Sequence, residues 1–351
     1  MKNIEYYLKT PKKFIKKQNQ LKPLQNGQAL IRPLVTGICG SDVHYYLGLK
    51  SPEKLKERLP VILLHEGVAE IVEVKGKTGL KKGDRVIVIP FEACGKCNAC
   101  KNGDVNLCPK SKYMGSTAPG LAREYLVYPA KKLVKVSKEI SNELAALIEP
   151  LTITYHSFKN VTIKKTDKVL IMGEGPMGFL LAMVLSHFGE IPKSNLYISG
   201  MFDKKLKLVQ DFCQTYNITK EKQNEKLNQL KKHFDYIFEC VGGGAMRLTV
   251  NQALDLLKPK GTLVLLGITD EQIPVNMNKV VNNGLIIKGS SRSVDQDYQV
   301  LLRLMKNSKV QSLLKRLINP KKVKITNIQD LYRGFELASD KSQIGRIMLY
   351  W

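Results

Sequence analysis

Lys168-Val169-Leu170-Ile171-Met172, followed by Gly173-Glu174-Gly175-Pro176-Met177-Gly178, is the stretch that decides the fold. The first five residues read as a short buried strand, and residues 179–188 behind the glycines read as a helix. Between them lies G-x-G-x-x-G. Its first glycine permits a tight turn, its second lets the backbone approach a pyrophosphate, and its third lets helix and strand pack closely. Pro176 and Met177 open the helix, whose N-terminus offers positive potential to phosphates. A glycine turn with no ligand has the same spelling, but standing between strand and helix this one reads as dinucleotide-binding.

Outward from that turn, further strands are expected at 195–199, 234–239, 262–267 and 285–288, alternating with helical segments. Such a succession gives an α/β, doubly wound parallel sheet of Rossmann type. An acidic residue about twenty positions past the glycines would take the ribose hydroxyls of NAD. Here Leu196-Tyr197-Ile198-Ser199 runs into Gly200-Met201-Phe202-Asp203-Lys204-Lys205, with glycine in the acid's place. Neutral Gly200 beside Lys204 and Lys205 suits a 2′-phosphate and favours NADP over NAD. In the alternative, Asp203, displaced by a short insertion, does the NAD task and the lysines are surface charges. The lysine-rich stretch 220–232 reads as a solvated helix or linker.

The chain changes character near Pro150. Before it, β-rich runs such as Gly67-Val68-Ala69-Glu70-Ile71-Val72-Glu73-Val74 and Arg85-Val86-Ile87-Val88-Ile89-Pro90 are separated by Gly, Lys and Asp turns, as in a barrel-like unit. From about Ser293 the chain reads as mostly helical. It closes with Gly345-Arg346-Ile347-Met348-Leu349-Tyr350, a strand returning to the first domain. At 351 residues more than one core is expected, divided as 1–150, 151–292 and a return over 293–351.

With 43% hydrophobic and 25% charged residues the composition is that of a globular protein. The apolar stretch 169–185 is interrupted by Gly173, Glu174, Gly175 and Pro176, which excludes a membrane span there. The N-terminal residues lack the apolar core of a signal sequence, which points to the cytoplasm. A net charge of +25 raises the question of nucleic acid. Lysine is scattered along the whole chain, however, and no aromatic-basic reader motif accompanies it. The positive field would instead draw in an anionic small molecule such as a sugar phosphate.

Cys94, Cys97, Cys100 and Cys108 lie in C-G-K-C-N-A-C-K-N-G-D-V-N-L-C. Thiolates are soft ligands, and two-residue gaps aim several sulfurs at one point, so residues 91–110 read as a lobe closed on a structural zinc. A cage of four sulfurs has no open position and does no chemistry. The reactive centre is sought at Gly37-Ile38-Cys39-Gly40-Ser41-Asp42-Val43-His44 and Leu63-Leu64-His65-Glu66-Gly67. Cys39, His65 and a carboxylate leave a fourth position free, the ligand set of a catalytic zinc. Singly, each is an ordinary residue: a buried thiol, a core histidine, a surface glutamate.

These motifs, with Glu149-Pro150 and G-E-G-P-M-G, resemble end to end the zinc-dependent medium-chain alcohol and polyol dehydrogenases. The resemblance implies a GroES-like catalytic domain with a Rossmann domain inserted after about residue 150. It implies Cys39 and His65 as zinc ligands, with the third open between Glu66 and Glu149. It also implies Ser41 as the proton-relay hydroxyl, with His44 as the next station. Tyr45 and Tyr46 would line the pocket, and the guanidinium fork of Arg292 would hold the substrate or its phosphate.

Leu64-His65-Glu66-Gly67-Val68, Phe238-Glu239-Cys240-Val241-Gly242-Gly243 and Lys288-Gly289-Ser290-Ser291-Arg292-Ser293 look more narrowly like the ribulose-5-phosphate reductases. In these, leucine precedes the histidine where most of the superfamily has glycine. That likeness implies NADPH-linked interconversion of ribulose 5-phosphate and ribitol 5-phosphate, feeding CDP-ribitol and surface polymers. The four-cysteine lobe and the G-S-D after Cys39 side instead with NAD-dependent oxidation of a neutral polyol such as sorbitol or xylitol. A non-catalytic zinc and nucleotide binder would keep the cage and glycines but has no use for Ser41, His44 and Glu149. The resemblance also implies a homo-oligomer.

Overall fold

The computed structural model describes residues 2–351. The chain divides into two units, Met1–Thr152 with Ser293–Trp351, and Ile153–Arg292. The first begins with an antiparallel hairpin of β1 (Lys2–Thr10) and β2 (Lys13–Gln20). Next come β3 (Gln28–Gly37), α1 (Gly40–Leu47), β4 (Glu66–Lys75) and β5 (Arg85–Val88). The paired strands β6 (Phe91–Glu92) and β7 (Lys112–Tyr113) bracket the four cysteines. Strands β8 (Leu126–Pro129) and β9 (Leu133–Lys135) then lead to helix α2 (Ile148–Lys159).

The second unit holds β10 (Val169–Met172), α3 (Pro176–His187), β11 (Leu196–Gly200), β12 (Gln214–Asn217), β13 (Phe234–Glu239), β14 (Leu257–Leu265) and β15 (Ile286–Gly289). Its sheet runs β12-β11-β10-β13-β14-β15, every pair parallel. In order of appearance that is 3-2-1-4-5-6, the doubly wound arrangement, with the crevice at the carboxyl ends where the order reverses beside β10. All four residues of β10 are buried, as a strand covered by helices on both faces requires. Residues Gly178 through Leu185 of α3 are buried too. The stretch 220–232 contains a helix, Glu221–Gln229, burying only Leu227.

The chain then returns through β16 (Ile318–Lys324), α4 (Ile328–Ser339) and β17 (Arg346–Tyr350). Strand β17 pairs antiparallel with β3, Met348 opposite Gly37, within the sheet β16-β17-β3-β4-β5-β9. The closing strand is therefore part of the first unit's core, where Ile347 and Leu349 join Leu8, Ile31, Leu63, Leu64, Ile71 and Phe335. In the second unit only β12 is absent from the sequence reading; in the first, β1–β3, β6–β9 and β16 were not singled out there. Gln-Thr-Tyr-Asn in β12 has no apolar run, and it holds as an edge strand by pairing with β11 alone. Among the described residues no helix is long and apolar enough to cross a membrane.

Candidate active site

Strand β3 ends at Gly37, and α1 begins after Cys39, so the thiol stands at the helix N-terminus. Asp42, in the first turn and 1% exposed, fixes this corner. Its Oδ2 accepts the Cys39 amide at 3.0 Å and its Oδ1 accepts the Leu64 amide at 3.1 Å. Oδ1 also lies 3.7 Å from His65 Nδ1. Leu64 has φ +75°, a left-handed conformation that costs a branched residue on the order of 1 kcal/mol. Glycine would adopt it freely, which gives physical content to the leucine noted in the sequence. The turn swings His65 and Glu66 toward Cys39.

Ligand atoms of Cys39, His65 and Glu66 all lie within 4.8 Å of one another. His65 Nδ1 and both Glu66 carboxylate oxygens are buried without a hydrogen-bond partner. Arg346 Nη2 lies 2.9 Å from Glu66 Oε1 as a buried ion pair, though not in hydrogen-bonding geometry. Arg346 Nη1 donates to the Ile38 carbonyl at 3.1 Å, tying β17 to the same corner. Gly37 makes room for the carboxylate, since a Cβ there would meet Glu66 Oε2 at 2.6 Å. Burial opposes charge on His65, yet Asp42 and Cys39 beside it hold its pKa well above the ordinary value. Burial raises the Glu66 pKa, with Arg346 and His65 pulling against it. Orphaned N and O ligand atoms beside a thiol, in a pocket with several buried acidic residues, fit a divalent cation such as zinc.

Glu149, in the first turn of α2, stands outside that group. Its Oε1 accepts from the Tyr113 hydroxyl at 2.8 Å, and the Tyr113 ring packs edge-on to His65 at 5.3 Å. Burial pushes the Glu149 pKa up to about 7, His65 and Tyr113 lowering it and Glu66 adding to the rise. Ser41 and His44 are half-buried and three residues apart on α1, hence neighbours on one helix face. The Tyr45 hydroxyl shares a hydrogen bond with Ser116 Oγ at 3.0 Å. Tyr46 packs into the core against Phe14 and Phe335. Arg292 is half-buried with φ +58°.

The four cysteines of the lobe come together. Cys97 and Cys100 sulfurs are 3.4 Å apart, Cys97 and Cys108 3.8 Å, Cys94 and Cys100 4.0 Å. Sulfurs about 2.3 Å from one tetrahedral ion stand about 3.8 Å from each other, whereas a disulfide needs about 2.05 Å. Backbone amides of Lys96 and Cys97 hold Cys94 down at about 6, while burial and the neighbouring sulfurs push Cys100 up to about 12.

In the second unit Gly173 has φ +109°, which glycine alone adopts cheaply. A Cβ on Gly178 would overlap the Gly173 carbonyl oxygen, while Gly175, the N-cap of α3, faces open space. The first turn of α3 carries Pro176 and Met177 and no acid, so its positive end is uncompensated. At Gly200 a Cβ would overlap the Glu174 carboxylate, whose Oε1 accepts the amides of Met201 and Phe202 at 3.0 and 3.2 Å. Asp203 bonds Asn217 Nδ2 at 2.7 Å and pairs with Lys220 at 2.7 Å. Lys205 lies over the Phe202 ring at 5.0 Å, and Lys204 is exposed.

Asp42, Tyr113, Glu174 and Arg346 were given no role by sequence reasoning. A basic residue heading an otherwise apolar strand marked Arg346, and Asp42 and Glu174 stood inside the quoted motifs. Tyr113 carried no signal.

Residues 25–138 match the alcohol dehydrogenase GroES-like domain, and residues 142–341 match the glucose dehydrogenase C-terminus. A ribulose-5-phosphate reductase of Staphylococcus aureus is 28% identical across 100% of this chain and 99% of its own length. A sorbitol dehydrogenase of Halalkalibacterium halodurans is 31% identical across 81% of this chain and 82% of its own. The solved structure of S. aureus TarJ in complex with NADPH matches with a TM-score of 0.81 at 26% identity, covering 100% of this chain and 99% of that one.

Proposed function

This chain belongs to the zinc-type medium-chain alcohol and polyol dehydrogenases that bind NAD(P), and from that premise we propose that it interconverts ribulose 5-phosphate and ribitol 5-phosphate. The observation that carries the reading is the full-length likeness to the staphylococcal reductases. Its product would feed CDP-ribitol and surface polysaccharide synthesis. The cytoplasm as the place of action is part of the same proposal. NADPH is the cofactor named for the TarJ structure, and Lys204 and Lys205 support the same choice here. The Glu174 carboxylate at Gly200 counts against it.

Cys39, His65 and Glu66 would hold the catalytic zinc, and the four lobe cysteines would hold the structural one. When bound, the metal polarises the substrate's carbonyl oxygen and the dihydronicotinamide supplies hydride. The chain's own part is positioning and proton movement. The Ser41 hydroxyl gives a proton to the oxygen that becomes the new alcohol, and His44, one turn on, replenishes it. Tyr45 Oη, braced by Ser116, bounds the substrate, and Arg292 takes its phosphate as a bidentate fork. Arg346 and Tyr113 fix the two carboxylates.

The neutral-polyol reading keeps support from the sorbitol dehydrogenase likeness and the cysteine lobe. Zinc-supplied oxidation of NADPH and of NADH is measured against ribulose 5-phosphate, xylulose 5-phosphate, fructose and sorbose. Turnover of ribulose 5-phosphate is expected, and turnover of the neutral sugars alone overturns the assignment. A homo-oligomer is part of the same proposal. Edge strand β15 exposes Ile286 and Ile287, a row apt to pair with a second copy. Light scattering giving a monomer would remove it.

A further inference from the structure

We infer that Glu174, in the glycine turn, is the residue that recognises the cofactor's adenosine ribose, and that it selects a free 2′-hydroxyl, hence NADH over NADPH. The inference rests on the dinucleotide-binding reading and is independent of the sugar. In this fold the ribose lies against the end of the second strand, where an acid accepts from its hydroxyls. Strands β10 and β11 are parallel neighbours with Met172 opposite Ser199, so the turn after β10 and the end of β11 adjoin. The strand-end acid is replaced by Gly200, and the Glu174 carboxylate fills the volume that a side chain at Gly200 would take. The negative charge has thus been kept in place and moved to a different residue.

The geometry also says what this carboxylate refuses. Backbone amides at a strand end are ready donors for a phosphate, and here those of Met201 and Phe202 are both occupied by Glu174 Oε1. Glu174 Oε2 has no hydrogen-bond partner among the described residues and is free to accept from ribose hydroxyls. A 2′-phosphate would meet a carboxylate where it needs donors, the like-charge arrangement by which sites reject a competitor. The nearby cations are partly committed: Lys220 pairs with Asp203 and Lys205 stacks on Phe202, while Lys204 and Lys207 are exposed.

The test is calorimetric titration of the full zinc-loaded chain with NADH and with NADPH, no sugar present, so that it stands apart from the substrate assay. Wild type is expected to bind NADH at least tenfold more tightly. Glu174→Gln, which keeps an acceptor for the two amides and removes the charge, is expected to lower that ratio at least tenfold. Gly200→Ala, which displaces the carboxylate, is expected to lower it as well, with thermal melts verifying that both variants fold. Wild type binding NADPH as tightly as NADH overturns the inference, and so does an unchanged ratio in folded Glu174→Gln or, should that variant not fold, in Gly200→Ala.

Discussion

The molecule gathers cysteine ligands twice, and the two clusters are built in opposite ways. Cys94, Cys97, Cys100 and Cys108 come from one short, half-exposed loop and need only each other. Cys39, His65 and Glu66 come from the end of β3 and the start of β4, steered by Asp42 and Arg346 in a buried pocket. The first offers four like ligands, so an ion held there would be closed off and structural. The second offers three ligands of mixed type, so an ion held there would keep a fourth position for substrate. Local sequence builds a cage, whereas a reactive centre needs the fold.

The sharpest way to break this contrast is to remove one sulfur from each cluster. Cys39→Ser is expected to lower kcat about a thousandfold, since electrophilic stabilisation contributes several kcal/mol, with little change in melting temperature. Cys97→Ser is expected to do the converse: cleavage by trypsin within 91–110, with kcat reduced less than tenfold. Equal losses of turnover in the two variants would dissolve the distinction.

Next in size is the buried ion pair. Arg346→Met keeps the volume but leaves Glu66 buried without its cation, which costs about 3–5 kcal/mol in metal-free protein by urea denaturation. A loss under 1 kcal/mol would show that the pair does not brace the pocket. Asp42→Asn loosens the corner without altering a ligand residue, and a weakening of zinc affinity of about 10–100-fold is expected in chelator competition. Unchanged affinity would mean that Asp42 positions nothing.

The smallest effect distinguishes thiols within the lobe. With zinc stripped, Cys94, held down at about 6 by backbone amides, is a thiolate at pH 7, while Cys100, pushed up to about 12, is not. Iodoacetamide should therefore modify Cys94 before Cys100. The thiolate is the nucleophile, so the Cys94 rate falls as pH drops through about 6. Equal labelling of the two would contradict the local hydrogen bonding.

What could be read from sequence follows the same division. The cage, the glycine turn and the strand core of the second unit are local patterns: a spacing, a breaker, an apolar run. The pairs that shape the pocket are not. Arg346 reaches Glu66 only because β17 comes back beside β3, and Tyr113 reaches Glu149 only through tertiary packing. Tyr46 and Tyr45 part ways because adjacent residues on a helix face different ways, and Tyr46 turns toward Phe14 and Phe335. Glu174 was visible as a letter in the motif, but its meaning depended on the absent side chain at Gly200, a juxtaposition between two parallel strands.

Zinc per chain, measured by elemental analysis on wild type and Cys39→Ser purified side by side, tests the account most directly. Two ligand groups predict two ions in the wild type and one in the variant, the survivor being that of the lobe. Wild type that turns over fully with zinc in the lobe alone, or Cys39→Ser retaining both ions, would contradict it.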